Sequence, residues 1–334
     1  MRRRRWHPPT AMPEAAVRPP LVDLANLRRA AAGIEGVAVH TPLIPLEALS
    51  RQVGVPVRLK AEFLQPIGAF KIRGAWTAIS RLAPEVRARG IVTHSSGNHA
   101  QAVAFTGKRF GVRTVIVMPK DSPAVKVAGV RSHGAEIVFV ERHERAKVSG
   151  EIAEREGLVM IPPYEHADVV AGQGTLTLEI LEEWPEVAAL VVQVGGGGLL
   201  AGAAAAIRAT GARVDLVAVE PEHAAKAAAA LRAGAPVTLD APTSVADGLI
   251  PPSVGKIPFQ VFQDVVTDAV QVTDADIAAA VRHLHEAVGL RVEPSGAAGV
   301  AALLAGRYQP AGPVAVIASG GNVDDTVFAR FLEG

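Results

Sequence analysis

Val191-Val192-Gln193-Val194-Gly195-Gly196-Gly197-Gly198-Leu199-Leu200-Ala201 carries the chain from an apolar, β-branched run through four consecutive glycines into an alanine-rich stretch. Ala189–Val194 reads as a strand and Leu199–Ala209 as the helix that follows it. A strand–helix turn of the ordinary kind needs one or two glycines. Four in a row let successive backbone N–H groups swing toward one point, at a helix N-terminus whose dipole adds partial positive charge. A phosphate suits that place. A rival pattern overlaps it: Gly196-x-Gly198-x-x-Ala201 fits the dinucleotide fingerprint, and Glu220 ends the next strand about 20 residues on. The segment alone therefore admits either a small phosphorylated cofactor or NAD.

Working outward, the same alternation fills nearly the whole chain. Apolar runs at Val57–Glu62, Ile91–His94, Thr114–Met118, Glu136–Val140, Asp215–Glu220 and Val314–Ala318 read as strands. Helices are expected at Ala69–Leu82, Ala100–Arg109, Ala124–Ser132, Arg142–Glu156, Ala225–Ala233, Asp274–Ala287, Ser295–Ala305 and Val323–Phe331. Near-continuously apolar strands joined by helices define an α/β protein with buried parallel sheets. Ligands of such sheets bind beyond the carboxyl ends of the strands. The proline-rich segment Pro236–Pro258 is the longest irregular stretch and reads as a covering loop. No internal repeat at a solenoid period is present.

A length of 334 residues suffices for one large or two medium domains, and 49% hydrophobic with 20% charged residues is ordinary for a soluble globular protein. The 34 Lys and Arg nearly balance the 33 Asp and Glu, so no basic face is implied and nucleic acid is not an expected partner. The absence of cysteine excludes disulfides, thiolate nucleophiles and Cys-type zinc sites, and fits a reducing cytoplasm. No apolar run reaches the roughly 18 residues of a membrane span. Met1-Arg2-Arg3-Arg4-Arg5-Trp6 opens like a signal sequence, but the prolines after it leave no apolar core. Residues 1–20 are therefore expected to be a flexible extension and not an address.

Three further segments share the strand-end position. In Gln65-Pro66-Ile67-Gly68-Ala69-Phe70-Lys71-Ile72-Arg73-Gly74-Ala75, Lys71 follows a turn and lies between two apolar residues at a helix start. Desolvation there lowers an amine's pKa and leaves it able to form a Schiff base; an arbitrary lysine would more simply snorkel to solvent. Ser95-Ser96-Gly97-Asn98-His99 follows a strand and offers hydroxyls, an amide and turn N–H groups to a carboxylate, although a plain helix cap has the same composition. Ser319-Gly320-Gly321-Asn322 follows another strand and has the same plain alternative.

As an ordered set, the Lys71 loop, Ser95–His99, Ala171-Gly172-Gln173-Gly174-Thr175, the tetraglycine, Glu293-Pro294-Ser295-Gly296 and Ser319–Asn322 resemble the fold-type II pyridoxal-phosphate enzymes. The similarity is to the threonine/serine dehydratase and serine racemase branch and runs from about Leu21 to the end. It implies two open, twisted, mostly parallel sheets flanked by helices, as in the tryptophan synthase β fold. A small domain over residues 90–158 would be inserted into a large one made of 21–89 and 159–334. It implies pyridoxal 5′-phosphate in place of NAD, with Lys71 as the Schiff-base lysine and Phe70 packed on the ring. Asn98 would bond the ring's O3′, Gly195, Gly196, Gly197, Gly198 and Leu199 would hold the phosphate, and Ser319 would face the pyridine nitrogen. Ser95, Ser96, Gly97, Asn98 and His99 would take the substrate carboxylate. The implied activity is β-elimination of L-threonine or L-serine to 2-oxobutanoate or pyruvate and ammonia, in a homodimer. A neutral hydroxyl such as Ser319 weakens the ring as an electron sink, which favours loss of a β-substituent over transamination.

Departures from the family pattern widen the alternatives. Ala69 stands where a Ser is frequent, and Pro163-Tyr164-Glu165-His166 looks like the dehydratase form of its loop. Ser96 stands where many dehydratases have Ala; in the racemase branch a Ser there is the base on the opposite face, so amino-acid racemisation or 3-hydroxyaspartate breakdown is also open. A β-replacement synthase shares the early chemistry. No positive residue can be assigned from sequence to a β-carboxylate. Glu220 and the Ala224 carbonyl resemble metal ligands of activated relatives, but Lys226 replaces the expected Asp, so metal independence is expected. The chain stops about a dozen residues after Asn322, and no isoleucine-binding regulatory domain is expected.

Overall fold

The computed structural model describes residues 21–333, and the expected N-terminal extension lies outside them. Ten strands are found among the described residues. They are β1 Leu43–Pro45, β2 Val57–Lys60, β3 Ile91–His94, β4 Thr114–Pro119, β5 Glu136–Val140, β6 Val159–Met160, β7 Ala189–Gln193, β8 Asp215–Pro221, β9 Val266–Val272 and β10 Val314–Ile317. They build two sheets. One has the order β1-β2-β10-β7-β8-β9, the other β5-β4-β3-β6. Every pairing is parallel except β1 with β2. The central strands β4, β7 and β10 are buried along their whole length, as expected for sheets covered by helices on both faces.

Leu190, Val192, Ala315 and Ile317 face a core shared with the Gly198–Thr210 and Ala167–Glu183 helices. Val191, Val314 and Val316 face the opposite core, filled by the Asp274–Val288 and Pro294–Leu304 helices. Alternation along each strand thus feeds two cores. The four-stranded sheet has its own pair of apolar faces, around Ile91 and Ile116 on one side and Val92 and Val115 on the other.

Several elements escape the sequence reading: the Leu24–Gly33, Glu47–Val53, Pro84–Arg87, Ala167–Glu183 and Lys256–Phe262 helices and strands β1, β6 and β9. The Lys256–Phe262 helix lies largely beyond the expected covering loop, whose remainder includes a short turn of helix at Asp247–Leu249. That turn packs over the glycine run, where a Cβ added at Gly195 would meet the Gly248 carbonyl at 2.5 Å.

Candidate active site

The strand ends place the chemistry. β7 opens into the glycine run, β3 into Ser95–His99 and β10 into Ser319–Asn322, and all three line one cavity. Phe70, Lys71, Ser95, Ser96, Gly97, Asn98, His99, Gly195, Gly196, Gly197, Gly198, Leu199 and Ser319 all border it. The sequence-nominated residues come together.

Lys71 begins the Lys71–Ser80 helix because the chain turns sharply just before it. Gly68 has φ +68°, and a Cβ there would meet Asn322 Oδ1 at 2.6 Å. Behind the lysine, Arg73 is fully buried and forks onto Glu62 at 2.8 Å through both Nε and Nη2. Arg73 also reaches Glu179 at 2.5 Å, and Lys60 reaches the same carboxylate at 2.6 Å. Among the described residues, no carboxylate pairs with Lys71. Its Nζ donates one hydrogen bond, to the Pro163 carbonyl at 2.9 Å, and burial pulls its pKa down to about 8.

The glycine run fits a phosphate in its geometry as well as its composition. Gly197 has φ +94°, a Cβ on Gly196 would fall inside the Tyr164 ring, and the Gly198–Thr210 helix starts at the last glycine. Among the described residues, no acceptor engages the N–H groups of Gly195, Gly196, Gly197, Gly198 or Leu199. Five successive donors at a helix N-terminus make an anion cradle. Across the cavity, the Phe70 N–H donates to the Ser319 carbonyl at 3.0 Å. The Ser319 hydroxyl has no partner among the described residues and borders the cavity. The donor set, the free amine and the lone hydroxyl fit pyridoxal 5′-phosphate: cradle, joining point and ring-nitrogen partner.

Asn98 is already engaged. Its Nδ2 donates to Glu293 at 2.5 Å and its Oδ1 accepts from Asn322 at 2.9 Å, leaving one Nδ2 hydrogen for a ring oxygen. His99 donates from Nε2 to the Ile161 carbonyl at 3.0 Å, and its Nδ1 is a buried acceptor without a partner. Burial and nearby Lys71 push its pKa down to about 3, so the ring is neutral. Beneath Gly97 lies Lys126, fully buried and paired with Asp247 at 2.7 Å and Glu293 at 3.1 Å.

The lining residues that were not legible in the sequence as site residues include His94, Lys126, Arg142, Arg145, Tyr164 and Asp247. Arg142 pairs with Asp121 at 2.8 Å. Arg145, at the start of the Arg145–Glu156 helix, is half-buried with no hydrogen bond or ion pair among the described residues. Burial and Arg142 both weigh against its charge, and it sits at a helix N-terminus, where a cation is disfavoured. Burial and Arg145 together push His94 down to about 4. In sequence, Glu141-Arg142-His143-Glu144-Arg145 looks like a solvated charge run, and nothing in it marks either arginine as bordering a cavity.

Glu220 and the Ala224 carbonyl, the ligands a cation would need, are both occupied by Lys226, whose Nζ lies 3.2 Å from Glu220 and 2.9 Å from Ala224 O. A metal does not fit there.

The family description "Pyridoxal-phosphate dependent enzyme" matches residues 34–320 of this chain. The L-threo-3-hydroxyaspartate ammonia-lyase of a Pseudomonas species is 39% identical over 309 residues, covering 92% of this chain and 97% of that protein. The L-threonine ammonia-lyase of Thermotoga maritima is 36% identical over 317 residues, covering 93% of this chain and 78% of that protein. The solved structure of maize serine racemase superposes with a TM-score of 0.89 at 36% identity, covering 94% of this chain and 97% of that one.

Proposed function

The chain belongs to the pyridoxal-phosphate dependent enzymes, and from that premise we propose that it is an ammonia-lyase for L-β-hydroxyamino acids whose preferred substrate carries a β-carboxylate, L-threo-3-hydroxyaspartate. The single observation behind the acidic preference is Arg145, a half-buried guanidinium bordering the same cavity as the Ser95–His99 loop. It has no paired anion among the described residues, Asp121 acting on it only from beyond ion-pair distance while held by Arg142. A second substrate carboxylate supplies that anion. L-threonine and L-serine would undergo the same reaction but leave Arg145 unpaired.

When bound, the cofactor supplies an aldehyde that joins the amino group and an electron-withdrawing ring that acidifies the Cα–H bond. The protein does the rest. Ser95, Ser96 and the free N–H groups at the Asn98–Phe110 helix start receive the α-carboxylate. Burial disfavours the charged form of Lys71, which suits its Nζ to take the α-proton. Ser319 would offer the ring nitrogen of a bound cofactor a neutral hydroxyl. The β-hydroxyl leaves as water, water returns to release ammonia, and hydroxyaspartate yields oxaloacetate.

The test is a comparison of kcat/KM for L-threo-3-hydroxyaspartate, L-threonine and L-serine, scored by keto acid and ammonia. Arg145→Ala is expected to cut the hydroxyaspartate value about 100-fold while leaving L-serine within about threefold. Faster turnover of L-threonine, with no selective effect of Arg145→Ala, would refute the acidic preference.

Ser96 supports a second reading. Its hydroxyl borders the cavity without a partner among the described residues, which suits a base that returns a proton to Cα and racemises the substrate. Ser96→Ala should then remove D-product while lowering breakdown of the L-substrate far less, through the lost carboxylate contact alone; equal loss of both rejects that role.

A further inference from the structure

Lys226 begins the Lys226–Ala233 helix and is fully buried. Its Nζ donates to the carbonyls of Val194 at 2.8 Å, Ala224 at 2.9 Å and Leu249 at 2.8 Å. The Glu220 carboxylate lies 3.2 Å away and accepts the N–H groups of Ala227 at 2.8 Å and Ala228 at 2.9 Å. Three carbonyls use all three hydrogens of an ammonium; a neutral amine has only two. Burial lowers the pKa of Lys226 and Glu220 opposes that, but the shell of oxygens is that of a cation.

The three carbonyls belong to three different loops. Val194 immediately precedes the phosphate cradle, Ala224 ends the turn after β8, and Leu249 closes the Asp247–Leu249 turn whose Gly248 carbonyl packs on Gly195. Lys226 ties all three together. We propose that Lys226 is the positioning residue of the cofactor cradle, a cation built into the chain that fixes the glycine run from beneath and makes cofactor retention independent of divalent metal. The inference rests on the cofactor and not on which amino acid is the substrate.

Three measurements on the cofactor-loaded enzyme and its cofactor-free form test it. Dialysis of the wild type against EDTA, or addition of Mg²⁺ or Ca²⁺, should change neither the retention of pyridoxal phosphate, read from its visible absorbance, nor the thermal midpoint. Lys226→Met should weaken pyridoxal-phosphate binding roughly 10- to 100-fold. Because Lys226→Met leaves Glu220 buried and unpaired, the Glu220→Gln/Lys226→Met double variant serves as the folding-safe control, and it should show the same weakened retention. A role confined to core stability would instead lower the midpoints of the loaded and cofactor-free forms equally and leave the dissociation constant unmoved. Lys226→Asp would set two carboxylates among the three carbonyls, a set of hard oxygen donors. Ca²⁺ or Mg²⁺ should restore cofactor binding to that variant alone. Chelator-sensitive retention in the wild type, an unchanged dissociation constant in both Met variants, or no divalent response in Lys226→Asp would each overturn the proposal.

Discussion

At the start of the Lys71–Ser80 helix, Lys71 Nζ has one hydrogen-bond partner among the described residues, the neutral carbonyl of Pro163. On the Ala124–Ser132 helix, Lys126 Nζ sits between two carboxylates, Asp247 and Glu293. Both lysines border the same cavity. Burial weighs against the charge of each. For Lys71 nothing opposes it, and the pKa falls to about 8; for Lys126 the two carboxylates outweigh it, and the pKa rises. One amine is kept ready to lose its proton, the other is kept charged. The difference lies in the neighbours and not in depth.

Two substitutions set that comparison against experiment. The largest effect is expected at Lys71: replacement by Ala should lower kcat by about 10⁴-fold or more, because both the joining amine and the proton acceptor are lost. Residual turnover within about tenfold of wild type would remove Lys71 from the chemistry. Lys126→Met comes next. It leaves Asp247 and Glu293 facing each other without their cation and should cost about 3–5 kcal/mol of unfolding free energy, measured by chemical denaturation. Adding Glu293→Gln to Lys126→Met should recover part of that loss. If both lysines tolerate Met equally, the ion triad beneath Gly97 is not what sets Lys126 apart.

The contrast also marks what the sequence could reveal. The cavity's glycines and Lys71 were legible because each breaks a local expectation: four glycines exceed what a turn needs, and a lysine between Phe70 and Ile72 has no aqueous side. The Ala167–Glu183 helix was not, since Gly172 and Gly174 in its interior look like a loop. Their purpose is tertiary. A Cβ on Gly174 would meet the Gly202 carbonyl at 2.8 Å, and a Cβ on Gly202 would meet Gly174 N at 2.5 Å, so the two helices touch backbone to backbone. Packing overrides helix propensity there. β9 escaped for the opposite reason: at the sheet edge, Val266-Thr267-Asp268-Ala269-Val270-Gln271-Val272 is only partly buried and lacks a continuous apolar run. Arg145 and Lys126 have no sequence mark at all. Whether a cation is solvated, paired or turned toward a ligand depends on residues over 100 positions away in Lys126's case, and on the shape of the cavity in Arg145's.

The smallest effect has the sharpest sign. In the cofactor-free protein, Lys71 has a pKa of about 8 against its ordinary 10.5. Below pH 8 the ammonium is present in both folded and unfolded chains, and the folded state bears the whole burial penalty. Between about 8 and 10.5 the folded chain has released its proton while the unfolded chain still binds it, so wild-type stability rises with pH. Above that range both amines are neutral and the penalty is gone. The gap sets a ceiling of roughly 3 kcal/mol, and partial opening of Lys71 onto the cavity lowers it to about 2 kcal/mol. Lys71→Met should therefore stabilise the cofactor-free protein at about pH 7, by denaturant midpoint, where Lys126→Met destabilises it. The gain should fade toward about pH 10. An advantage that stays constant across that range would mean that the Lys71→Met variant gains from packing alone, and that burial does not hold the Lys71 amine near its neutral form.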